Sequence, residues 1–227
     1  MQVSPIPSPP RELLDASSPV KGGGLVAPAL ELEAWVRAEI LSPNRPLSNY
    51  DHQALSEFEP RVAFLWTTEH MADKGRRVLG TAQLAEPTGK AWPAAQRRAQ
   101  LLDWFGEVPT FLVVLDALHA SHALATGRPE NFLAVVDHEL YHCGQELDTY
   151  GVPRFTRDGE PRWGIRGHTV EEFPGVVRRY GIEASGVGPL ADAIDYVRAH
   201  GPDVAAATLD GVCGCGASLA PAASGGA

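Results

Sequence analysis

The sequence predicts an α+β fold: a small sheet of three to four strands packed on one amphipathic helix, with further helices on the N-terminal and C-terminal sides. Two observations carry this. Residues 61–68 (RVAFLWTT), 76–84 (RRVLGTAQL) and 110–116 (TFLVVLD) are β-rich, and the first and third are almost unbroken apolar runs. Residues 131–148, NFLAVVDHELYHCGQELD, place Phe132, Val136, Leu140, Cys143 and Leu147 at i, i+4, i+8, i+11 and i+15. That spacing is one continuous stripe of a helix facing a core.

In chain order, residues 1–27 are rich in Pro, Ser and Gly and read as a disordered leader. Residues 28–41 form a helix, with Leu30, Leu32 or Trp35, and Ile40 facing inward. Residues 42–50 carry two prolines and make a loop, and 51–58 a short helical turn. The strands 61–68 and 76–84 are joined by a hairpin-like connection at 69–75. The second alternates, with Val78, Gly80, Ala82 and Leu84 on one face. Residues 92–105 are helical or irregular. The run at 110–116 is apolar enough for burial on both faces of a strand. After the long helix, 151–167 is a loop thick with Gly, Pro and Arg. Thr169 with Glu172 forms a capping box that starts a helix, although Pro174 falls in its second turn. Residues 189–200 make a last helix. The expected organisation is a leader at 1–27, one folded domain at 28–212 and a flexible Gly/Ala-rich tail at 213–227.

A chain of 227 residues is long enough for a sizeable core, and its net charge of −9 argues against nucleic-acid binding as its main business. The paired arginines Arg76-Arg77, Arg97-Arg98 and Arg178-Arg179 leave room for a local basic patch, with Arg178 and Arg179 read as decorating a helix terminus. Three cysteines make no disulfide framework: Cys143 lies in the apolar stripe, and Cys213 and Cys215 form a C-x-C without a second pair nearby. Residues 1–15 lack a basic stretch followed by an apolar run, so no signal peptide is expected, and no apolar run approaches the ~20 residues of a membrane span. The expected location is the reducing cytoplasm, with no membrane partner.

The chemistry concentrates in His138-Glu139-Leu140-Tyr141-His142, the H-E-x-x-H pattern. On a helix with about 3.6 residues per turn the two imidazoles leave the same face one turn apart and can take two corners of a tetrahedral Zn2+. Glu139, on the rim of that face, can then take a proton from a water without being a ligand. A catalytic zinc needs a third protein ligand. Asp148, Glu171, Glu172 and His168 compete for that place, and chemistry alone ranks His168 ahead of the carboxylates. His70 in its loop, and His119 with His122 three residues on, are weaker rivals.

The stretch VVDHELYHC, followed by a loop and then GHTVEEFPGVVRRYG, resembles the putative phage metallopeptidase family, and more loosely the SprT-like zinc peptidases. Asp137 and Tyr141 match its first segment. His168, Glu171, Glu172, Phe173, Arg179, Tyr180 and Gly181 match its second. The two strands at 61–68 and 76–84 resemble the family's N-terminal half, so the likeness covers roughly residues 30–181. Thr169 departs from it, standing where the family tends to have Asp. The resemblance implies a zincin-like fold, with His168 as third ligand.

The expected activity is that of a zinc metallopeptidase, phage-encoded and acting in the host cell on a protein or peptide substrate. Glu139 would be its general base. Tyr180 or Arg166 would stabilise the oxyanion, Asp137 would orient a group at the metal, and a sheet edge would bind the peptide by strand addition. Two other readings share the motif: a non-catalytic zinc-stabilised binding module, and a narrow-specificity regulatory protease acting on one host or phage protein.

Overall fold

The computed structural model describes residues 3–15, 25–73, 76–87, 92–168, 177–179, 181–182, 187–209 and 211–213. The chain divides into two compact units, Met1–Arg166 with Ala207–Ala227, and Gly167–Ala206.

The fold of the first unit is α+β around a mixed sheet. Its strands are β1 (Val26–Pro28), β2 (Val62–Thr67), β3 (Ala72–Asp73), β4 (Arg76–Leu84), β5 (Phe111–Asp116) and β8 (Val212–Cys213). The sheet order is β1-β2-β5-β4-β3, with β8 pairing to β4. The three long strands are the three β-rich segments. The sheet exceeds three or four strands because pieces of two or three residues add to its edges.

The expected hairpin-like connection between 61–68 and 76–84 does not form. β5 lies between them, parallel to β2 and antiparallel to β4. A run apolar on both faces belongs in the middle of a sheet, and β5 is such a run. Val62, Phe64 and Trp66 of β2 join Phe111, Val113 and Leu115 of β5 in the main core. Ala63, Leu65 and Leu112 pack on the other face against Leu101 and Phe105. Those last two residues belong to helix α4 (Trp92–Phe105).

On the main-core face lie α2 (Leu30–Val36), which runs on through a π-helical turn at Arg37–Leu41, then α5 (Ala117–Ala125) and α6 (Pro129–His142). Leu32, Trp35, Val36 and Ile40 of the first of these are buried, whereas Leu30 faces solvent. A 3-10 turn at Tyr50–His52 leads into α3 (Gln53–Glu57), where the short helical turn was expected.

Residues 3–15, inside the segment expected to be a leader, pack on the fold. Helix α1 (Arg11–Asp15) buries Leu13, and Val3, Ile6 and Leu14 pack on the main core. Ser4 Oγ donates to the buried Glu39 carboxylate at 2.7 Å, and Trp35 Nε1 donates to the Ser4 carbonyl at 3.0 Å. The apolar residues interleaved among the prolines anchor this segment. Arg45 also pairs with Glu39, and with Ser4 it holds that carboxyl below its ordinary range.

In the second unit the main described element is α7 (Gly188–His200), with Pro189 in its first turn and Gly201 at φ 80° ending it. Among the described residues no helix is long and apolar enough to cross a membrane.

Candidate metal centre

Helix α6 starts with Pro129 in its first turn and buries Phe132, Val135, Val136 and Leu140. It ends at His142, earlier than the stripe suggests. Cys143 at its C-terminus is extended (φ −81°, ψ 114°), and the chain passes straight into β6 (Cys143–Gln145). Cys143 is therefore buried as a strand residue, and Leu147, 49 % exposed, faces solvent. β6 pairs antiparallel with β7 (Trp163–Ile165), with Gly144 opposite Gly164, inside the segment expected to be a plain loop.

This ladder aligns the residues on either side of it. Arg166 donates its backbone N–H to the His142 carbonyl at 2.8 Å. His142 Nδ1 lies 2.6 Å from the Arg166 carbonyl. A carbonyl can only accept, so Nδ1 carries the proton and Nε2 is left as the lone-pair nitrogen that a metal uses. The His138 and His142 rings meet edge to face with centroids 5.0 Å apart. His168 follows β7 by three residues, and one ligand nitrogen from each of His138, His142 and His168 lies within 4.8 Å of the others. Three imidazoles at that separation suit a tetrahedral divalent ion with a fourth place open.

Glu139 is not on a rim. It is 0 % exposed, because α6 packs directly onto β4 at that point. Gly80 makes the approach possible: a Cβ there would lie 2.8 Å from Glu139 Oε1 and 3.0 Å from Val135 Cγ1. Among the described residues neither carboxylate oxygen makes a well-formed hydrogen bond. Burial pushes the carboxyl up to about 8, against a smaller lowering pull from the Ala82 backbone N–H.

Asp137 faces away from the histidines. Its Oδ1 accepts from His52 Nε2 at 2.8 Å and from Asn49 Nδ2 at 3.2 Å. One turn on, the Tyr141 hydroxyl donates to Asp51 at 2.6 Å. Burial, with the charges of Asp51 and Asp137 behind it, pushes that phenol up to about 12. Asp137 and Tyr141 thus clamp α6 to the turn at Tyr50–His52. Arg166 lays its guanidinium over Gly144, where a Cβ would come within 2.1 Å of Nε. That Nε is buried with no hydrogen-bond partner among the described residues.

The other candidates lie apart from the histidine group. Asp148 accepts the backbone N–H groups of Tyr150 and Val152 at 2.8 and 2.9 Å, a loop-stabilising role. His70 and His122 are exposed, and the His119 backbone N–H is taken up by Asp116 at the start of α5. Tyr180, Glu171, Glu172 and Cys215 lie outside the described residues, and so does the side chain of Cys213. Sequence reasoning missed Asn49 and His52 as partners of the motif helix, and Gly80 as the seat of Glu139. An isolated Gly inside a strand pattern is the one signal that could have pointed to close backbone approach.

Residues 33–195 match the family described as Putative phage metallopeptidase. The chain belongs to that family. The match runs from α2 to within α7 and takes in the H-E-x-x-H helix and all three histidines. No curated protein and no solved structure matches the chain. The family description names a metallopeptidase, and the three-histidine cluster is a group that could bind its metal.

Proposed function

We propose that the protein is a zinc metallopeptidase in which His138, His142 and His168 hold the ion and Glu139 is the general base. The observation that carries this reading is a buried carboxylate without a well-formed hydrogen bond, on the same helix as two of three clustered imidazoles. A fully buried glutamate without a well-formed hydrogen bond costs several kcal/mol, a cost that chemistry explains and packing does not. Zinc bound there would supply Lewis acidity that lowers the pKa of a water toward ~7. Glu139, whose oxygens meet only the smaller pull of the Ala82 backbone N–H, takes the proton of a water that attacks a peptide carbonyl and passes it to the leaving amine. The Arg166 carbonyl keeps His142 in its binding tautomer, and Asp137 holds the helix in place.

The family description supports a phage-encoded enzyme, which would act on a protein or peptide substrate in the cytoplasm of the host cell. The test is Glu139→Gln. Zinc content should stay at the wild-type level while hydrolysis of a peptide library falls by about 100-fold or more. Hydrolysis at the wild-type rate would remove Glu139 from the mechanism.

A further inference from the structure

The strand that seats Glu139 has one side already committed. From Gly80 to Leu84 it pairs with β5. On its outer side β3 takes Arg76 and Arg77, and β8 takes Val78 and Gly80 in parallel register, with Cys213 opposite Gly80. Beyond Gly80 the outer side has no strand partner among the described residues. The backbone next to Glu139 is therefore partly covered by the chain's own carboxy-terminal segment.

That segment is fitted to its place. Thr208 donates its backbone N–H to Asn131 Oδ1, near the start of α6, at 2.9 Å. Leu209 packs against the main core. Gly211 is buried, and a Cβ there would lie 2.3 Å from Leu79 Cγ. A residue with any side chain would have to displace Leu79 or leave the edge, so the glycine is the shape that admits this strand.

We propose that the outer edge of β4 is a docking edge for an extended peptide, and that β8 is its occupant in the resting chain. An incoming peptide must displace β8 to pair beside Glu139. The inference rests on the peptidase reading for its biological sense, but the docking itself does not require hydrolysis. A tethered strand acts at an effective concentration in the millimolar range. Even a weak contact can therefore hold the edge, and removing it should raise the affinity for an outside peptide by about tenfold or more.

The experiment compares the full chain, a chain ending at Ala207 and the full-length Gly211→Val variant, all carrying Glu139→Gln so that the probe survives. The probe is a fluorescent peptide with the sequence of residues 206–213, and the readout is anisotropy. Both altered proteins should bind it at least tenfold more tightly than the full chain, and a probe carrying Gly211→Val should bind less well to all three. Equal affinity across the proteins, or no binding by any, overturns the proposal. Circular dichroism checks folding, and Gly211→Val carries the test if the shortened chain is unfolded. With Glu139 restored, the shortened chain should show a lower KM and an unchanged kcat on a peptide substrate. Binding that differs as expected, without hydrolysis by any form, sinks the peptidase reading and leaves the docking edge standing. Hydrolysis with no difference in KM does the reverse.

Discussion

His142 and Arg166 hold each other through two reciprocal hydrogen bonds. The imidazole Nδ1–H donates to the Arg166 carbonyl at 2.6 Å, and the Arg166 N–H donates to the His142 carbonyl at 2.8 Å. The Arg166 side chain folds back over Gly144, which has no Cβ to obstruct it. Gly144→Ala should push Arg166 away and loosen this pair. Loss of such a support typically costs 10- to 100-fold in metal affinity. Competition with a chelator of known affinity should show about a tenfold weakening, with helix content unchanged.

If the three histidines bind the ion, His168→Ala should lower bound zinc well below one per chain, as should His138→Ala and His142→Ala. Asp148→Ala should not, because Asp148 is already engaged by Tyr150 and Val152. Elemental analysis after dialysis reads the outcome. Unchanged stoichiometry in His168→Ala would move the third ligand elsewhere.

Glu139 gives the metal-free protein a pH dependence whose sign is fixed. Its folded pKa, about 8, lies above the ordinary 4.5. The folded chain therefore keeps the proton that the unfolded chain gives up. Stability is full below pH 4.5 and is lost as pH rises toward 8, by an amount on the order of a few kcal/mol. Thermal melts of chelator-treated protein should show Tm falling from pH 5 to pH 8. Glu139→Gln, which has no proton to lose, should flatten that slope.

Gly80→Ala should destabilise the chain by about 1–3 kcal/mol, the usual cost of overpacking, because the new methyl meets Glu139 and Val135. Urea denaturation measures the loss. The same substitution made in Glu139→Ala should cost less, since the two positions share one space.

Asp137→Ala should leave zinc content intact and lower stability by about 1–3 kcal/mol, because it strips His52 of its carboxylate partner. A fall in zinc with no fall in Tm would instead give Asp137 a direct part in the metal site.

Much of this was legible from residues alone. The three long strands follow from two apolar runs and one alternating β-rich segment, and the two helix histidines from their spacing. Sheet order was not legible, since an apolar run tells that both faces of β5 are covered but not which strands flank it. The helix end was misread because Cys143 and Leu147 continue the stripe by coincidence. A buried strand residue and a buried helix residue look alike in sequence. The burial of Glu139 was hidden because it depends on Gly80, and the clamp on Asp137 because His52 is 85 residues away in the chain.

The ladder between β6 and β7 also frees the motif from counting. His142 precedes the first of these strands and His168 follows the second, so the closing hydrogen bonds, and not the residues between, set how the chain arrives at His168. The connecting segment 146–162 is largely exposed at its turns and folds back on itself through small bridges at Leu147 with Pro153 and Phe155 with Pro161. Insertions or deletions there should be tolerated, as they are at exposed loop tips generally. A chain lengthened or shortened there should keep its three histidines together, and a pattern written with a fixed gap after H-E-x-x-H would pass it by.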